Sequence, residues 1–141
     1  MRIWLGAAAF VIAAACAPEG DAPDGAPSAE AIAAESERLT AYLNAEFEEE
    51  LQRSPQWLTQ LGRKEQYGQL NDYSEAAADA DLAWRRESVA EMEESFDYDL
   101  LSNEAKTSYD VWAAELATEE INLPYRRHAY VFGRNGSHTG L

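Results

Sequence analysis

Cysteine occurs once in the 141 residues, at Cys16, so no internal disulfide can staple this fold. Basic residues are scarce: 11 Lys and Arg stand against 26 Asp and Glu, a formal charge of −15. Phosphate backbones and anionic bilayers are met by basic surfaces, so this balance argues against a nucleic-acid partner and against polybasic docking on lipid. Histidine occurs only as His128 and His138, ten residues apart, and a zinc site from these two alone would lack its third protein ligand. No apolar run reaches the roughly 20 residues that a spanning helix needs. Large aliphatic side chains are thin as well. From Ala29 to Leu141, Leu, Ile, Val and Phe number 20, whereas the small side chain Ala supplies 26 residues of the whole chain. With this charge, so few aliphatics would ordinarily mean disorder.

Aromatic residues oppose that reading. Trp57, Trp84, Trp112 and seven tyrosines fall in the same stretch, and disordered chains are poor in them. The composition therefore predicts an ordered helical segment with a thin core.

The first fifteen residues read as an address. Arg2 supplies a positive start, and Ile3 to Ala15 form an apolar run of secretory length. Ala13-Ala14-Ala15-Cys16 resembles a bacterial lipobox, in which Cys16 is lipidated and becomes the new N-terminus. The expected domains are a signal peptide at 1–15, lipidated Cys16 with a flexible linker at 16–28, and a helical segment at 29–141. Three prolines, two glycines and three acids in residues 17–28 leave no helical or strand period there. The expected location is the bacterial cell envelope. Ala17 after the Cys resembles the sorting pattern for the outer membrane, with the lipid as membrane partner and the protein facing the periplasm.

Four helices follow from the apolar spacing. Ile32, Leu39, Leu43, Phe47 and Leu51 line one face of a helix over about Ala29 to Leu51. Glu46, Glu48, Glu49 and Glu50 crowd its end and read as a solvated face. Ser54 and Pro55 suit the cap and first position of a short helix to Leu61, with Gly62 at its end. Residues 63–73 read as an irregular connection. Ser74 caps a helix to about Phe96, striped by Leu82, Val89 and Phe96. Ser102 caps a last one, to about Leu123, striped by Ala105, Tyr109, Trp112 and Leu116 and stopped by Pro124.

The tail, from Tyr125 to Leu141, carries Arg126, Arg127, Arg134, His128 and His138 among three glycines. This cationic, loop-like stretch on an acidic protein reads either as a charge-balancing loop or as a cleft-lining loop, with Arg126, Arg127, His128 and His138 as its candidate residues.

The runs Ser36-Glu-Arg-Leu-Thr, Phe47-Glu-Glu-Glu-Leu and Ser54-Pro-Gln-Trp-Leu-Thr-Gln-Leu-Gly resemble the DUF885 proteins of bacteria. So do Asp72-Tyr-Ser, Leu101-Ser-Asn-Glu-Ala-Lys-Thr-Ser-Tyr-Asp, Tyr125-Arg-Arg-His-Ala-Tyr and His138-Thr-Gly-Leu, in that order. The resemblance spans roughly residues 36–141. It implies an all-α fold, export as a lipoprotein, and a longer protein that looks like a zinc metallopeptidase acting on peptides. The implied zinc sits on a His-Glu motif with further histidines downstream. This sequence has no His-Glu pair, so no catalytic or metal residue carries over and no cofactor is expected in this chain. The expectation is an inactive N-terminal part of such a peptidase. The rival expectation is a small, self-sufficient helical envelope lipoprotein that binds a partner protein.

Overall fold

The computed structural model describes residues 27–128 and a pair of two-residue strands further on. The signal segment, Cys16, the linker as far as residue 26, and His138 lie outside the described residues. The fold is all-α. Helix α1 covers Ala29–Arg53, α2 Pro55–Gln60, α3 Glu75–Ser95 and α4 Asn103–Asn122. The strands, Phe132–Gly133 and Gly136–Ser137, pair antiparallel, with Phe132 opposite Ser137. The expected Gly-rich loop falls largely outside the described residues, and this short pairing is the part of it that is described.

The helix boundaries follow from capping chemistry. The hydroxyls of Ser28, Ser74 and Ser102 accept the backbone N–H groups of Ala31, Ala77 and Ala105 at 3.1, 3.1 and 3.2 Å, satisfying donors that a helix start leaves orphaned. Ser54 holds the expected N-cap position of α2 before Pro55, but its side chain makes no cap bond. Only one residue separates α1 from α2, and the Ser54 N–H closes α1 on the Leu51 carbonyl at 3.0 Å. Its hydroxyl accepts the Asn71 side-chain amide at 3.0 Å instead of capping α2. Gly62 ends α2 at φ 79°, where a Cβ is strained. Its N–H reaches Thr59 and that of Arg63 reaches Leu58, the paired closure that satisfies the last carbonyls. Pro124, inside a 3-10 turn at Leu123–Tyr125, has no N–H with which to extend α4.

The three long helices pack on one another through the predicted stripes. Leu39, Val89, Met92, Phe96, Leu101, Ala105 and Trp112 form the main buried cluster, and Tyr42, Leu43, Tyr109 and Leu116 pack against it. Among the described residues, the large side chains that are fully enclosed are Leu39, Leu51, Leu58 and Met92. At about 1.5–3 kcal/mol each, their burial is a modest driving force for a segment of this length. Polar ties supplement it. Ser36 Oγ accepts the Ser102 N–H at 2.9 Å, joining α1 to the start of α4. Buried Ser88 accepts Trp112 Nε1 at 3.0 Å through its hydroxyl, and Tyr42 Oη donates to its carbonyl at 2.7 Å. Burial pushes the Tyr42 hydroxyl above its ordinary range.

Candidate functional site

Along α3 the apolar stripe Leu82–Val89–Met92–Phe96 has a charged member, Arg85, three residues after Leu82 and four before Val89. Helical geometry puts it on the core seam, and it is 4% exposed. A buried guanidinium needs both partners and a polarizable cover. Glu50 from α1 accepts its Nη2 at 2.5 Å, and Glu115 from α4 accepts its Nη1 at 3.2 Å. The rings of Trp84 and Trp112 lie 5.0 and 4.5 Å from it, and Arg53 covers Trp84 at 4.9 Å. Arg85 therefore joins all three long helices. Its Nε is buried with no hydrogen-bond partner; the nearest carboxylate oxygen, on Glu119, is 3.8 Å away.

Beside this hub opens a cleft of about 400 Å³. Arg53, Ser54 and Trp57 from the α1–α2 junction form one wall, and the first turns of α3 as far as Arg85 form the other. The end of the 63–74 connection, Asn71 to Ser74, completes the lining. Asn71 fixes that connection, accepting the Gln56 N–H at 3.0 Å while donating to Ser54. Tyr73 donates its hydroxyl to the Gln56 side chain. The ionisable lining comprises Glu50, Asp72, Asp81 and Glu119 against Arg53 and Arg85.

Desolvation raises the Glu119 carboxyl above its usual range, assisted by repulsion from Glu50, Glu115 and Asp81 and opposed by attraction to Arg85. Raised folded-state affinity means the native state binds a proton more tightly than the unfolded chain. The associated stability is present at low pH and lost as pH rises through the folded value. Glu119→Gln should therefore raise the urea midpoint at pH 7, with the gap to the parent closing as pH falls. A lowered midpoint would mean that attraction to Arg85 outweighs the desolvation.

Arg126 and Arg127 are engaged by the N-terminal turns of α3. Arg126 pairs with Asp79, and Arg127 grips Glu75 with two bonds of 2.7 and 2.6 Å. That grip lowers the Glu75 carboxyl below its usual range. Exposed His128 meets the Tyr125 ring edge-on at 6.1 Å. None of the three lines the cleft. The glutamate run at the end of α1 is more than a solvated face: Glu48, Glu49 and Glu50 hold Arg63, Arg53 and Arg85 respectively. Arg85 escaped notice in the sequence, although a lone arginine on an apolar stripe was the signal to find it.

Among the described residues, each of the seven arginines pairs with an acid of the chain, and no three His, Cys, Asp or Glu side chains converge to hold a metal ion. Glu50, Glu115 and Glu119 gather around the Arg85 guanidinium, and His128 meets the Tyr125 ring. These donors do not fit the zinc that the resemblance implies. Among the described residues, no helix is long and apolar enough to cross a membrane.

A family model described as bacterial protein of unknown function, DUF885, matches residues 55–140. The match takes in α2, α3, α4 and the tail; the similar runs of α1 lie outside it. No curated protein and no solved structure matches the chain.

Proposed function

As the chain belongs to the DUF885 family, we propose that its helices are the N-terminal wall of a larger, exported, lipid-anchored peptidase whose metal ligands lie on other parts of that protein. The observation that carries this reading is the exposed apolar surface. Leu61, Tyr67, Leu70 and Tyr73 are 52%, 69%, 78% and 60% exposed and fall within thirteen residues of chain. Val111, Ile121 and Tyr125 add a second exposed set on and just after α4. A core this small combined with so much exposed apolar surface suits helices that further elements cover. Cys16 is the proposed anchor and a peptide the proposed substrate of the whole protein. In that protein zinc would activate water for attack on the peptide carbonyl.

The purified chain should accordingly show no zinc-dependent hydrolysis of dipeptides or short peptides. Chelator-sensitive turnover that follows the protein through successive columns would overturn this reading.

A further inference from the structure

We propose that the cleft beside Arg85 binds an organic cation: a primary ammonium or guanidinium on an apolar stem, as a lysine or arginine side chain presents it. Three observations converge. First, four carboxylates face two guanidinium groups in the lining, a local excess of two negative charges within a protein of net charge −15. Asp72 has no arginine or lysine at ion-pair distance among the described residues; its carboxylate accepts the Ser74 N–H at 2.8 Å. Second, Trp57, Tyr73 and Trp84 line the same space. Trp57 is 36% and Tyr73 60% exposed, so ring surface is available to a cation and its stem. Third, Arg85 belongs to this lining while more than nine-tenths buried, and its Nε–H lacks an acceptor. A carbonyl on the same ligand would supply one after a small shift, which favours a basic residue within a peptide over a free amine.

An anion is the wrong occupant, because Arg53 and Arg85 already spend their fork donors on Glu49, Asp81, Glu50 and Glu115. A neutral apolar ligand would displace water from Asp72, which has no cationic partner among the described residues, without replacing it. A cation answers both conditions. The inference stands on the cleft alone, so failure of the peptidase reading leaves it untouched.

The test is titration of the full chain, followed by tryptophan fluorescence, since Trp57 and Trp84 line the cleft. The probes are acetyl-Ala-Lys-Ala-amide, its Nε-acetyl-lysine counterpart and 1,5-diaminopentane. The lysyl peptide should give a saturable change that the acetylated peptide does not, and added salt should weaken it. Tighter binding of the peptide than of the diamine identifies a basic side chain as the source; the reverse identifies a free amine. Asp72→Asn with Asp81→Asn keeps both side chains able to accept hydrogen bonds, so the fold should hold, and affinity should fall tenfold or more. Glu93→Gln with Glu94→Gln removes two charges from the last turn of α3, outside the cleft, and should change affinity less than twofold. Equal binding of the acetylated peptide, equal losses in the two double variants, or no response to either cationic probe would each overturn the proposal.

Discussion

Arg85→Ala should lower the free energy of unfolding by about 3 kcal/mol, the largest loss expected from any single substitution in the described helices. Breaking a buried ion pair from one side costs about 3–5 kcal/mol where the abandoned charges stay buried. Here the side chains of Glu50, Glu115 and Glu119 are 25%, 50% and 45% exposed, so they recover part of their hydration and the electrostatic share sits at the lower end. Packing makes up the rest. The guanidinium packs against Trp84 and Trp112, which meet each other edge-to-face at 6.3 Å, and its removal uncovers part of both rings. Arg85→Met separates the two contributions, because it restores volume without charge. It should cost about half as much as Arg85→Ala. In both variants three like charges remain around a site without its cation, so added salt should narrow the gap to the parent. Urea unfolding checks the order, and near-ultraviolet circular dichroism reports the tryptophan environment. A loss under 1 kcal/mol for Arg85→Ala would mean that the long helices hold together without the hub.

How much of this was legible in the sequence depends on the physics involved. Ser74 and Ser102 were readable as caps because a cap is a local event, one hydroxyl meeting an N–H three residues on. Ser54 was readable as the residue that starts α2, but the partner of its side chain was not. Its hydroxyl is claimed by Asn71, seventeen residues away, and no local rule anticipates that partner. The stripes of α1, α3 and α4 were readable from period, yet Phe47 and Trp57 pair edge-to-face at 5.4 Å at the surface, each 36% exposed. Periodicity shows which residues share a face but not how wide the covering element is. The cleft was invisible for a stronger reason: its walls come from the α1–α2 junction, a connection without regular period, and α3. Glu50 and Arg85 are thirty-five residues apart, and opposite charges at that separation carry no pairing signal.

Thermal unfolding of residues 29–141 should be broad, and its midpoint should rise by roughly 5 °C between low salt and about 0.5 M salt. Ordering the chain costs about 1–2 kcal/mol of backbone entropy per residue, and four fully enclosed large side chains with a few well-buried neighbours offset that only narrowly. Salt acts in two directions. It weakens the arginine–carboxylate pairs, most of which are exposed enough to contribute less than about 1 kcal/mol each. It also screens the repulsion among acids left over once the arginines are matched, and the net charge of −13 on this segment, 10 Lys and Arg against 23 Asp and Glu, makes this the larger effect. A net gain of about 1 kcal/mol corresponds to a shift of roughly 4–8 °C for a domain of this size. The segment should also bind a dye that reports exposed apolar surface, since Leu61, Tyr67, Leu70 and Tyr73 are open to it. Partial exposure and a loosely held core have the same origin: helices whose outer apolar residues are made to be covered. A sharp, salt-insensitive transition without dye binding would show that the helices complete their own core. The reading would then pass to the rival, a small self-sufficient envelope lipoprotein whose exposed aromatic surface receives a partner protein.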